Sequence, residues 1–138
     1  MSSRVVKDAL MRATLMTTSS LVSIVDDDES VRESLPDMLR QFGFASAAFS
    51  SAEAFLASDV IGRTNCLILD VKMPGMSGPD LQRELATRGR EIPIVFITAS
   101  GDKAIRTRLL SDGAAECLFK PFSETALLDA LHSALRMR

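Results

Sequence analysis

The sequence predicts a single α/β domain built around a five-stranded parallel sheet. Three observations lead to this prediction. Five short apolar runs follow one another from residue 21 onward, and segments with the apolar spacing of a helix alternate with them. Four of the five runs are almost entirely apolar, as expected for strands that helices cover on both faces. The length of 138 residues suits one domain with one core.

The predicted strands are Leu21–Val25, Phe44–Phe49, Cys66–Leu69, Pro93–Thr98 and Ala115–Phe119. Apolar residues at helical spacing between Val31 and Phe42 predict the first helix, and those between Leu127 and Leu135 predict the last. Pro36 lies inside the first helix and removes one backbone hydrogen bond there. We therefore predict a kink at Pro36, with the helix continuing beyond it.

Residues that favour helix starts precede several of these segments. Ser50 and Glu53 match a capping box for the second helix, and Gly78-Pro79 opens the third with proline in the first turn. Asp28 is predicted to cap the first helix. The beginning of each helix is thus predicted independently of its apolar spacing.

The first 20 residues differ from the rest of the chain. They carry a net positive charge and end in the polar run Thr17-Thr18-Ser19-Ser20, and their apolar centre is too short for a secretory signal. We predict a loosely ordered N-terminal extension over residues 1–20 and the domain over residues 21–138. Met16 is an alternative to Met1 as the true start.

Composition excludes several classes of function. The net charge is −2, and the 16 basic residues are spread along the chain, so direct nucleic-acid binding is not expected. No apolar stretch approaches the roughly 20 residues that span a membrane. Cys66 and Cys117 lie in apolar runs without metal-site spacing, on strands three and five, so no disulfide should join them. They predict buried thiols in a cytoplasmic protein.

Polar residues gather where the predicted strands end. In open α/β sheets the ligand site lies beyond the carboxyl ends of the strands, so these side chains should converge on one edge. They are Asp26, Asp27 and Asp28 after strand one, Asp70 after strand three, Thr98 at the end of strand four, and Lys120 after strand five.

This set of side chains indicates a magnesium site that handles a phosphoryl group. Clustered carboxylates repel one another and raise each other's pKa unless a cation neutralises them. Oxygen ligands without Cys or His select a hard ion such as Mg²⁺. Lys120 and Thr98 can then contact the oxygens of a transferring phosphoryl group, while Asp70 attacks as the nucleophile.

Four motifs occur in order: Ile24–Asp28, Leu69–Gly78, Phe96–Ala99 and Lys120–Phe122. Together they resemble the receiver domain of two-component response regulators over roughly residues 21–136, and most closely the FixJ-like receivers. The resemblance implies a doubly wound, flavodoxin-like (βα)5 fold with strand order 2-1-3-4-5. It also implies phosphoryl transfer from a histidine kinase or phosphotransfer protein, and a downstream protein partner.

The resemblance also assigns roles to individual residues. It implies that Asp70 is the phosphoacceptor and that Asp26 and Asp27 are metal-site carboxylates, with Asp26 able to act through water. The backbone carbonyl of Lys72 would be a further Mg²⁺ ligand. Thr98 and Lys120 would sense the phosphoryl group, and Lys120-Pro121 would be a cis peptide.

One position departs from the family pattern. Receivers usually carry Tyr or Phe three residues before the lysine, and here the residue is Cys117. Phosphorylation of the acceptor aspartate does not need that ring. The conformational change by which receivers usually signal phosphorylation does need it. We therefore predict a weaker coupling between phosphorylation and the distant surface.

Several alternatives stay open at this point. An enzyme of the HAD phosphatase class also uses a strand-end Asp nucleophile, and Asp26–Val31 loosely fits its opening motif, although no stretch is left for a cap domain. His132 is expected to carry no function. The chain ends at Arg138, after the predicted fifth helix, so we expect a stand-alone receiver or a piece of a longer regulator. Homodimer formation is a further open possibility.

Overall fold

A computed structural model of the chain describes residues 20–136. Five strands form one parallel sheet in the order β2-β1-β3-β4-β5, which confirms the predicted fold class and strand order. The strands are β1 Leu21–Val25, β2 Ala45–Phe49, β3 Cys66–Asp70, β4 Ile94–Thr98 and β5 Glu116–Phe119. The helices are α1 Glu29–Gln41, α2 Ala52–Leu56, α3 Gly78–Thr87, α4 Lys103–Ser111 and α5 Glu124–Arg136, with a short 3₁₀ turn at Ile61–Arg63.

The sheet is covered on both faces, as its apolar strands predict. Successive strand residues point to opposite faces, so Leu67 and Leu69 join one core cluster and Ile68 joins the other. Helices α2, α3 and α4 pack on the first face, where Phe55 is fully buried. Helices α1 and α5 cover the second face, where Leu131 is fully buried.

Strand register brings the polar strand ends together. Val25 at the end of β1 pairs with Leu69, so Asp26 and Asp70 follow at the same level of the sheet. Asp70 pairs with Ile97, and Thr98 pairs with Phe119, the residue before Lys120. The convergence predicted from the sequence therefore follows from the parallel register.

The start of α2 differs from the prediction. The cap is Ser51, whose Oγ accepts a hydrogen bond from the Ala54 N–H at 3.1 Å, and not Ser50. Ser51 has the extended backbone that a capping residue needs, with φ −151° and ψ 157°. The predicted capping box was wrong because the helix begins one residue later, at Ser51, where the third helical residue is Ala54 and cannot return a side-chain hydrogen bond. The Glu53 side chain instead contacts a different loop, where its Oε2 accepts a hydrogen bond from the Met76 N–H at 3.2 Å.

The other helix starts agree with the sequence. Asp28 caps α1 by accepting from the Ser30 N–H, and α3 begins at Gly78 with Pro79 in its first turn. Ser77 and Asp80 form a capping box there that the sequence analysis did not identify. Helix α1 continues through Pro36 as predicted, and the kink stays a prediction.

Several smaller predictions can be compared with the described residues. Cys66 and Cys117 are both buried, on β3 and β5 with β4 between them, and no disulfide joins them. His132 is exposed on α5. In residues 20–136, no helix is long and apolar enough to cross a membrane. The predicted extension lies outside the described residues except for Ser20, so the domain boundary stays a prediction.

Candidate functional site

Three carboxylates meet at the carboxyl ends of β1 and β3. One oxygen from each of Asp26, Asp27 and Asp70 lies within 4.8 Å of the others. Asp26 is fully buried and Asp70 is 6% exposed, whereas Asp27 is exposed to solvent. The cluster is therefore half inside the protein, with one open side.

Lys120 supplies the positive charge closest to this cluster. Its Nζ donates a hydrogen bond to Asp26 Oδ2 at 2.9 Å and lies 3.9 Å from Asp70 Oδ1. The lysine side chain is only 20% exposed, so solvent screens the pair weakly. One ammonium faces three carboxylates, which leaves the cluster with an excess of negative charge.

The titration behaviour of the site reflects this imbalance. Burial and the neighbouring Asp26 carboxylate raise the pKa of Asp70 to about 7, although the Lys120 ammonium acts in the opposite direction. Burial alone would lower the pKa of Lys120, but its hydrogen bond and charge contact with Asp26 outweigh this and raise it. Lys120 therefore stays charged near neutral pH, while Asp70 is poised to lose its proton there.

Thr98 completes the edge of the site at the end of β4. The residue is 2% exposed, and its Oγ1 accepts a hydrogen bond from the Ser100 N–H at 3.1 Å. In this contact the Thr98 hydroxyl is the acceptor, so its own proton can still be donated to a second partner.

An open pocket of about 460 Å³ joins these groups. Its lining comprises Asp27, Asp28, Asp70, Lys72, Thr98, Ala99, Ser100 and Lys120. Every residue that the sequence singled out for the site lies in this lining except Asp26, which lies beneath Lys120 and beside Asp70. The Lys120-Pro121 peptide bond is cis, as the resemblance implied.

The structure adds contacts that the sequence analysis missed. Arg32 of α1 donates from Nη1 to the Asp26 backbone carbonyl at 2.9 Å, and so holds the segment after β1 in place. Asp26 Oδ1 also accepts from the Asp28 N–H at 2.9 Å. The sequence signal available for Arg32 was an arginine one turn into the helix that follows an acidic run.

Comparison with known proteins identifies the family. The family sequence model described as "Response regulator receiver domain" matches residues 22–132, which is most of the chain. The chain belongs to the response regulator receiver domain family. Membership makes it a signalling module of two-component phosphorelays, as the motifs predicted.

Individual relatives agree with this assignment. Nodulation protein W of Bradyrhizobium diazoefficiens is 44% identical over 118 residues, which are 86% of this chain and 52% of that protein. The crystal structure of FixJ-N is 38% identical with a TM-score of 0.77, covering 86% of this chain and 95% of that one. The structure of response regulator StyR is 47% identical with a TM-score of 0.79, covering 86% and 60%. The receiver thus spans about half the length of the curated relatives it matches.

Proposed function

We propose that this receiver accepts a phosphoryl group on Asp70 from a phosphohistidine of a histidine kinase or phosphotransfer protein. The observation that carries the proposal is the position of Asp70. Its carboxylate lines an open pocket, 3.9 Å from the Lys120 ammonium and beside the oxygens of Asp26 and Asp27. A nucleophile, a cation and an acidic cluster are therefore assembled around one space large enough for a phosphoryl group.

The acidic cluster suits Mg²⁺ as the cofactor. The carboxylates of Asp26, Asp27 and Asp70 offer three oxygens within 4.8 Å of one another, and no Cys or His belongs to this cluster. Hard oxygen donors with uncompensated charge are what Mg²⁺ prefers. These side chains, together with the backbone carbonyl of Lys72, would hold the ion. When bound, Mg²⁺ neutralises charge on the oxygens of the transferring group.

The transfer step follows from the chemistry of the groups. A carboxylate oxygen of Asp70 attacks phosphorus, the new O–P bond forms, and the P–N bond to the donor histidine breaks. The imidazole nitrogen keeps the bonding electron pair and takes up a proton. Asp26 is a poor alternative nucleophile because it is fully buried and both its oxygens accept hydrogen bonds, from Asp28 and Lys120.

Two further side chains can hold the phosphorylated state. The Thr98 hydroxyl still has a proton to donate to a phosphoryl oxygen, because its present contact with the Ser100 N–H uses it as an acceptor. The Lys120 ammonium can exchange part of its contact with Asp26 for the added negative charge. Because Thr98 ends β4 and Lys120 follows β5, both changes would shift the ends of these strands. Such shifts support a role in signalling to a protein partner.

The state of the two cysteines bears on the compartment in which the receiver works. Cys66 and Cys117 are buried and form no disulfide, which favours a reducing compartment, so we propose the cytoplasm. The activity is stoichiometric acceptance of a phosphoryl group with a protein partner downstream, and not turnover of small phosphate esters.

Intact-mass spectrometry after incubation with acetyl phosphate and Mg²⁺ tests this function. The wild type should gain about 80 Da, the mass of one phosphoryl group, whereas Asp70→Asn should gain nothing. Asp129→Asn is the matched control, because Asp129 is an exposed aspartate on α5. A full adduct on Asp70→Asn, or sustained hydrolysis of p-nitrophenyl phosphate by the wild type, would contradict the proposal.

A further inference from the structure

The loop that follows Asp70 is held at its base by backbone hydrogen bonds. The Val71 N–H donates to the Ile97 carbonyl at 3.1 Å, and the Gly78 N–H donates to the Val71 carbonyl at 3.0 Å. Among the backbone hydrogen bonds of residues 20–136, none involves residues 72–76. The course of the loop between its two ends therefore depends on side-chain contacts.

A side chain from a different helix reaches the tip of this loop. Glu53 of α2 accepts a hydrogen bond at Oε2 from the Met76 N–H at 3.2 Å. The same oxygen lies 2.8 Å from the place where a Cβ on Gly75 would stand. Gly75 has φ +74°, a conformation that favours glycine. The loop tip is thus built to receive the carboxylate closely.

Helix α2 is a firm base for this contact although it is short. Ser51 caps it, and Phe55, two residues beyond Glu53, is fully buried in the core. The ring of Phe55 also meets that of Phe49 edge to face, with centroids 5.5 Å apart. The backbone of Glu53 is held by this packing, so its carboxylate can restrain the loop at Met76, on the far side of the buried Met73 side chain.

We infer that Glu53 is a positioning residue that sets the course of the loop 71–77 and, through it, the backbone carbonyl of Lys72. The inference rests on the proposed function, in which that carbonyl is a Mg²⁺ ligand. Glu53 forms no hydrogen bond or ion pair with Asp70 itself, and it acts through the Met76 N–H. Glutamine at position 53 keeps an oxygen that can accept from the Met76 N–H, although a neutral acceptor forms a weaker bond than a carboxylate. Glutamine should therefore preserve part of the effect, and alanine should abolish it.

The first test needs no metal. Hydrogen exchange of the Met76 amide is measured by NMR in EDTA for wild type, Glu53→Gln and Glu53→Ala. Glu91→Ala is the control, since Glu91 is an exposed glutamate before β4, at the opposite end of the sheet. The Met76 amide should exchange at least about fivefold faster in Glu53→Ala, faster by a smaller factor in Glu53→Gln, and within about twofold of wild type in Glu91→Ala. Equal protection of Met76 in wild type and Glu53→Ala would overturn the contact.

The second test measures Mg²⁺ binding by titration calorimetry with MgCl₂ alone, and phosphorylation by acetyl phosphate at increasing Mg²⁺. Glu53→Ala should raise the Kd for Mg²⁺ about three- to tenfold, and its maximal rate at saturating Mg²⁺ should stay within about twofold of wild type. Glu53→Gln should have a Kd closer to that of wild type than to that of Glu53→Ala. Wild-type affinity in Glu53→Ala, or glutamine behaving like alanine, would overturn the inference.

Failure of the positioning role can be distinguished from failure of the proposed function. If wild type takes no phosphoryl group with Mg²⁺ present, the proposed function fails whatever the Glu53 variants do. If wild type is phosphorylated while Glu53→Ala binds Mg²⁺ as wild type does, only the positioning role fails. Thermal melts in EDTA check that every variant is folded, and little change is expected because Glu53 is exposed.

Discussion

Lys120 donates its hydrogen bond to Asp26 at 2.9 Å, while its ammonium stays 3.9 Å from Asp70. The cation is therefore engaged mainly with a carboxylate that is fully buried and not with the one that faces the open pocket. The proposed nucleophile is therefore only partly compensated, although the two distances differ by only about one ångström.

Stability without metal should depend on the ionisation of Asp70. Burial and Asp26 raise its pKa from 3.8 to about 7. A carboxyl with a raised folded-state pKa contributes stability that is present below its unfolded value and lost as pH rises through the folded value. In EDTA, this contribution should fall between about pH 4 and pH 7. Asp70→Asn, which cannot ionise, should not lose it.

Urea unfolding of both proteins at pH 4.5 and pH 8 measures this effect. The variant should gain free energy of unfolding relative to wild type on going from pH 4.5 to pH 8. Asp129→Asn again serves as the control, and its difference from wild type should stay constant. The same pH-independent difference for Asp70→Asn would show that the carboxyl is not strained in the folded protein.

Substitution of Asp27 should weaken Mg²⁺ binding without destabilising the fold. Asp27 is exposed and belongs to the three-carboxylate cluster. Asp27→Ala should lose most of the Mg²⁺ affinity and the Mg²⁺-dependent phosphorylation, because one of three oxygen donors is gone. In EDTA it should melt at the same temperature as wild type or higher, since a repelling charge is removed. Undiminished phosphorylation of wild type in excess EDTA would contradict the metal requirement.

Gly78 should be intolerant of any side chain because α3 begins directly against Asp70. A Cβ on Gly78 would lie 2.3 Å from the Asp70 carbonyl oxygen and 3.1 Å from the Val71 Cα. Backbone atoms cannot retreat as a flexible side chain can, so Gly78→Ala should cost about 1–3 kcal/mol of stability. It should also slow phosphorylation by displacing Asp70.

Gly101→Ala is the matched control for this substitution. A Cβ there would have nothing within 4 Å, and its stability should change by less than about 0.5 kcal/mol. Urea denaturation compares the two variants. Gly78→Ala with wild-type stability and phosphorylation would show that the close approach to Asp70 is not required.

Cys117 should limit how phosphorylation reaches the face formed by α4, β5 and α5. The cysteine is 3% exposed and stands where receivers usually carry an aromatic ring. Arg106 of α4 donates to the Cys117 carbonyl at 3.3 Å and to Glu116 at 2.7 Å, which ties α4 to the β5 backbone. Without a ring that changes position, this face should respond through backbone shifts alone.

NMR shift changes on adding a phosphoryl mimic, beryllofluoride with Mg²⁺, test this in wild type and Cys117→Tyr. Changes on α4 and β5 should be smaller in wild type. A melt in parallel shows whether the tyrosine is accommodated, since overpacking a buried site costs about 1–3 kcal/mol. Large changes in wild type that the tyrosine does not increase would mean that the missing ring is unimportant.

Local patterns in the sequence were enough to predict the fold and the side chains that meet at the sheet edge. Apolar runs covered on both faces identify buried parallel strands, and parallel strands must all end at one edge. Asp26, Asp70, Thr98 and Lys120 each follow or end such a strand, so their convergence needed no knowledge of loops. Strand bounds shifted by only a residue because strand ends depend on neighbouring hydrogen bonds.

Only the tertiary structure decided which of these groups contact each other and how the loops are held. Neither the preference of Lys120 for Asp26 over Asp70, nor the reach of Glu53 to Met76, nor the close fit of Gly78 against Asp70 has a local signature. These contacts depend on sheet register and on loop paths, which join residues far apart in the chain. Periodicity reports which face a residue occupies, whereas distances of a few ångströms are set by packing of the whole domain.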